Sequence, residues 1–140
     1  AADVVFGAAC PVTMVGLDVT MKIYLRTEHF DQIGRYDNAR ARHLARILPF
    51  YRAFYSSRLG FDAIPVHDST TITYLLNPAL FKTVSYAVRV ETAGISRGKT
   101  WPGLYRHELD AAWANRPMVN ICVDVAAAEA IQMELERLAQ

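Results

Sequence analysis

The sequence of 140 residues is 52% hydrophobic and 21% charged, with a formal charge of +1, a composition that folds rather than staying disordered. So small a net charge argues against a general polyanion binder, and no nucleic-acid partner is expected. No apolar run reaches the roughly eighteen residues that a membrane-spanning helix needs, so no membrane partner is expected either.

The first residues, to about Ala9, read as the end of a helix with no cap and no initiator Met, and no basic leader marks a signal peptide. Pro11 stops that helix. Val12 to Leu17 (VTMVGL) then reads as a short parallel strand buried on both faces. Asp18 and Thr20 follow at its C-terminal end, where open α/β sheets usually place ligands; both read first as structural capping residues. From Glu28 to Leu59 the pattern is helical, with Leu44, Leu48, Tyr51 and Tyr55 on one face. Asp37 is the expected N-cap, Pro49 the expected kink or restart, and Gly60 the expected stop. A loop, FDAIPV, leads to His67 and Asp68, and Ser69 to Leu76 is predicted as a helix ended by Asn77-Pro78. Val84 to Thr92 reads as a strand that turns through Gly94 and Gly98 into Lys99 to Leu104. Val119 to Val125 is a further strand, and Ala126 to Ala139 an amphipathic closing helix. This alternation is α/β, within one domain or part of one.

Chemistry concentrates in IPVHDSTTITYLLNPALF. His67 and Asp68 are adjacent where a loop enters a helix, and their side chains point in different directions, so one can bind a metal while the other faces a substrate. A plainer reading is open as well: Asp68 as a helix cap worth about 1 kcal/mol, beside a surface histidine. Tyr51 and Tyr55 can likewise be core aromatics with hydroxyls at the surface. Arg35, Arg40, Arg42, Arg46, Arg52 and Arg58, with His43, read as a solvated helix face. His29 and His107 have no ligand-spaced partners and read as surface residues. Cys10 and Cys122 stand in apolar settings without metal-ligand spacing, so buried reduced thiols and a cytoplasmic location are expected.

Taken in order, VTMVGLDVT, FYRAFY, IPVHD, YLLNPALF and VETAGISRGKT resemble the inosine–uridine preferring nucleoside hydrolase family, over about Ala2 to Ala126. The resemblance implies a mostly parallel central sheet with flanking helices, residues 1–140 being the C-terminal part of a single domain. It implies that Asp68 gives a carboxylate to a calcium ion, and that His67 lies over the nucleobase and protonates it as it leaves. It also implies that Tyr51 and Tyr55 meet the base of a ribonucleoside substrate. Two family features are missing from the sequence: the Asp-rich loop after the first strand, and the acidic-and-Asn segment that grips ribose. Ser69 stands where the family usually has Pro. The chain alone is therefore expected to be inactive, with an N-terminal half or a companion chain completing the site. An unprotected sheet edge makes a homo-oligomer the expected state. The alternative from another class is a truncated, non-catalytic module that only packs against a partner chain.

Overall fold

A computed structural model describes residues 1–104 and 111–140, so the expectation for His107 lies outside the described residues. The elements begin with helix α1 (Ala2–Phe6), strand β1 (Thr13–Val15), helix α2 (Leu17–Thr20), strand β2 (Tyr24–Arg26) and helix α3 (Thr27–Gly34). Helix α4 (Ala39–Leu59), strand β3 (Ala63–Pro65) and helix α5 (Asp68–Leu76) follow, then a 3-10 turn, Pro78–Leu80. Strands β4 (Phe81–Val90), β5 (Thr100–Pro102) and β6 (Met118–Val125) precede the closing helix α6 (Ala127–Ala139). The chain packs as two compact units, Ala1–Met14 with Thr83–Cys122 and Val15–Lys82 with Val123–Gln140.

The first unit carries a four-stranded sheet in the order β1-β6-β4-β5. Strands β4 and β5 pair antiparallel, Val88 opposite Pro102 and Val90 opposite Thr100. The expected glycine turn joins them: Gly94 and Gly98 have φ of 70° and 92°, a region where a side chain would strain the backbone. Val88, Val119 and Ile121 form the core, with Phe6, Met14 and Tyr86 packed on it. Asp3 accepts a 2.8 Å bond from the Val90 amide and one of 2.6 Å from the Arg116 guanidinium. The amide bond, and then the arginine, hold its carboxyl below the usual range against the opposing effect of burial.

Strand β1 differs from expectation. It is three residues long and lies at an edge of the sheet, with Thr13 exposed and Met14 and Val15 only half-buried. Gly16 caps α2, so Leu17 is already helical. Cys122 is buried as expected, whereas Cys10 is exposed, because it sits in the turn after α1 rather than in an element.

The second unit buries Ile23, Ile33, Ala41, Val66, Ala130, Ile131 and Leu135 together, with Leu44 and Leu48 packed against them. The stretch expected as a loop at Ala63 to Pro65 is instead a fully buried strand, paired antiparallel with β2 from Tyr24↔Pro65 to Arg26↔Ala63. Three-residue strands are too short to show alternation in sequence. The N-cap of α4 is Asn38, not Asp37: Asn38 is extended, and its Oδ1 accepts from the Ala41 amide at 2.9 Å. Asp37, one residue too far out, pairs with Arg42. Pro49 neither breaks nor restarts α4. It and Ala45 are both exposed, so water can take up the carbonyl that the missing N–H leaves. Gly60 ends the helix in the left-handed region, φ 75°, as expected. Among the described residues no helix is long and apolar enough to cross a membrane.

Asn38 also donates from Nδ2 to the Leu138 carbonyl at 2.7 Å, tying the start of α4 to the end of α6. Asn38→Ala should therefore cost about 1–2 kcal/mol, cap and tie together. Asn38→Ser, which keeps a capping oxygen, should cost visibly less in urea unfolding. Equal losses would assign the whole effect to the Leu138 tie.

Candidate active site around His67

The site forms where β3 runs into α5. Val66, the last residue of the extended stretch, is buried, and its amide donates to the Ile23 carbonyl at 2.9 Å. Its own carbonyl accepts the Thr70 hydroxyl at 2.8 Å, so this backbone is fixed from both sides. His67 then occupies the capping position of α5 without making a side-chain cap, and Asp68 is the first helical residue. The capping reading of Asp68 is thus corrected. Its carboxylate is exposed in the first turn, where the helix dipole favours negative charge.

The His67 ring is half-buried, and its Nδ1 lies 2.7 Å from the Thr20 hydroxyl. This contact, made across 47 residues of sequence, is what the residue-by-residue reading missed. Thr20 is buried at the end of α2 rather than serving as a cap. The only sequence signal was its place just after a strand. Engaging Nδ1 leaves Nε2 as the nitrogen available to a ligand.

Helix α4 brings the tyrosines to the same place. The Tyr51 and Tyr55 ring centroids are 5.1 Å apart, and those of Tyr55 and His67 6.2 Å. Leu44 and Leu48 on that face pack against the core, while Tyr51 is 47% exposed and so not a core residue; Tyr55 is half-buried. The Tyr51 phenol is pushed above its ordinary value, first by its hydrogen bond to Tyr55, then by the Tyr55 charge, burial and the nearby Asp68 carboxylate. It stays protonated at neutral pH and acts as a donor. An open cavity of about 520 Å³ is lined by Tyr51, His67 and Asp68 together with the apolar side chains of Leu25, Ile47 and Phe50.

The remaining candidates are structural. Arg52 bonds Asp62 and lies 4.6 Å from the centre of the Phe30 ring, while Arg58 stacks on Phe54. His29 accepts the Arg26 amide at the start of α3. A calcium ion wants six to eight oxygens. Among the described residues no group of three or more His, Cys, Asp and Glu side chains could hold a metal. Asp68 can give such an ion one carboxylate, and the described residues do not by themselves make the shell.

The family profile described as inosine-uridine preferring nucleoside hydrolase matches residues 1–132. The chain is 33% identical over 141 aligned residues to the pyrimidine-specific ribonucleoside hydrolase RihA of Enterobacter sp. (strain 638), covering 100% of this chain and 44% of that protein. It is 29% identical to the probable uridine nucleosidase 2 of Arabidopsis thaliana, covering 99% of this chain and again 44% of the relative. A solved plant nucleoside hydrolase, PpNRh1, superposes with a TM-score of 0.91 at 26% identity, over 99% of this chain and 44% of that one. The chain thus has less than half the length of the relatives it matches.

The Thr20 contact makes a prediction about the ring. If the buried hydroxyl donates to Nδ1, the neutral imidazole should carry its proton on Nε2, visible in ¹⁵N chemical shifts. Thr20→Val should shift the ring towards a mixture of tautomers. A dominant Nδ1–H form in the unmodified protein would reverse the polarity of this bond.

Proposed function

Because the chain belongs to the inosine–uridine preferring nucleoside hydrolase family, we propose that it forms the nucleobase side of a ribonucleoside hydrolase, an enzyme that yields ribose and free base. The observation that carries this reading is the gathering of Tyr51, His67 and Asp68 at one largely apolar cavity, with the Tyr55 ring against those of Tyr51 and His67. A flat base suits the apolar wall, and its polar edge needs a donor, which His67 supplies.

As the bond between C1′ and the base nitrogen breaks, its electron pair goes to the base, positive charge develops on the ribose, and a water oxygen bonds to C1′ while giving up a proton to a base that the rest of the enzyme supplies. His67, as the doubly protonated imidazolium, would give a proton from Nε2 to the departing base and be left neutral, with the Thr20 hydroxyl turned to accept from Nδ1–H. Thr20 holds the other ring nitrogen and so aims the donor. Tyr55, between Tyr51 and His67, keeps the rings in register. Bound calcium would orient the ribose hydroxyls and help generate the water nucleophile, and Asp68 is this chain's contribution to its oxygens.

The active enzyme contains more polypeptide than these residues, in the same chain or a companion. The shorter length relative to the matched proteins supports this. So do Ile72, Leu75 and Leu76, which leave a continuous apolar stripe exposed on α5. A homo-oligomer is one form of that assembly. The exposed thiol of Cys10 suits a reducing cytoplasm.

In the active enzyme, His67→Ala should lower turnover of uridine or inosine by roughly 10²–10⁴-fold. A nitrophenyl riboside, whose leaving group needs no proton, should be affected far less. Equal losses on both would point to binding or folding instead of acid catalysis. The 140-residue chain assayed alone should hydrolyse neither nucleoside, with or without calcium. Steady turnover by it, abolished by His67→Ala, would mean that this chain holds a complete site.

A further inference from the structure

Glu134 on α6 is half-buried, and among the described residues its side-chain partners are two hydroxyls and no cation. Ser69 Oγ donates to its Oε2 at 2.9 Å, and Thr73 Oγ1 to its Oε1 at 3.1 Å. Burial pushes its carboxyl up, with the two hydroxyls opposing. A carboxylate placed so is costly unless its geometry does something. Both partners stand on α5, four residues apart and so on one face. Ser69 immediately follows Asp68. One carboxylate gripping a helix at two successive turns fixes its rotation as well as its distance.

We propose that Glu134 is a positioning residue: through Ser69 and Thr73 it sets the rotation of α5, and with it where Asp68 and His67 point. The inference rests on the proposed site around His67. Thr70 and Thr71 complete the hold, bonding the carbonyls of Val66 and Asp68 at 2.8 and 2.7 Å. The backbone from Val66 to Ser69 is thereby held from within the helix, and Glu134 anchors it to a second helix. Glutamine in place of Glu134 keeps a hydrogen-bonding group for each hydroxyl. Leucine keeps the volume and removes both bonds.

The test is made in the complete, active enzyme with Glu134→Leu, Glu134→Gln, Ser69→Ala and the Ser69→Ala/Glu134→Leu pair. The expected result is a fall in kcat on the order of 10–100-fold for Glu134→Leu, the scale of a misplaced catalytic group, with KM little changed. Glu134→Gln should recover most of it. Ser69→Ala, a change at an exposed residue that leaves folding intact, should lower kcat in the same direction. The paired variant should be no worse than Glu134→Leu. Full kcat in both Ser69→Ala and Glu134→Leu overturns the proposal, as does a drop in melting temperature with unchanged turnover per folded molecule. His67→Ala is the control: an enzyme indifferent to it sinks the site assignment and this inference with it, whereas one that needs His67 but not Ser69 or Glu134 sinks the inference alone.

Discussion

At the end of β3 the chain must turn from strand to helix within three residues, Val66 to Asp68, and the site depends on how that turn is held. Helix starts leave amide donors without intrahelical partners, and a capping side chain usually supplies an acceptor. Here the capping position is taken by His67, whose ring turns away to Thr20. Backbone and threonine contacts do the fixing instead: the Ile23 carbonyl holds the Val66 amide, and the Thr70 hydroxyl holds the Val66 carbonyl. A histidine relieved of capping is available for chemistry. The stability forgone by the missing cap, about 1 kcal/mol, is small beside what an aimed proton donor contributes to a rate.

Helix α4 meets a further constraint, because one helix serves both the core and the site. Its N-terminal half buries Ala41 and packs Leu44 and Leu48 against the core. Further along, the same face carries Tyr51 and Tyr55 to His67. An unbroken run is needed for that alignment. Pro49 does not spoil it, because the helix continues through it to Leu59. The core thus sets the register of the tyrosines, and errors in packing at Leu44 or Leu48 are transmitted to the site.

The long elements were legible in the sequence because their patterns repeat. The helical face of α4, the Gly60 stop, the hairpin through Gly94 and Gly98, and the strand and helix that close the chain all appear as read. The short ones were not: β2 and β3 have three residues each, too few for alternation to show, and Pro65 disguised β3 as a loop. The N-cap of α4 fell one residue from its expected place, since Asp37 and Asn38 both carry capping oxygens and only backbone geometry chooses between them. His67, Asp68, Tyr51 and Tyr55 could be named from sequence, and they do lie together. Thr20 can be placed at the strand end but reads as a cap, and Glu134 goes unnamed, because each acts through a contact distant in sequence, and a threonine or a helical glutamate has many ordinary uses.

The charge pattern of the site bears on which group can do what. In the proposed reaction the breaking bond becomes negative on the base and positive on the ribose. Donors are needed at one end and a carboxylate is useful at the other. In that reading His67 would offer the donor and Asp68 the negative charge. The Asp68 carboxylate also contributes to holding the Tyr51 phenol protonated, after the larger effects of Tyr55 and burial. A phenol pushed upward gives up its proton poorly, so Tyr51 does not compete as the acid.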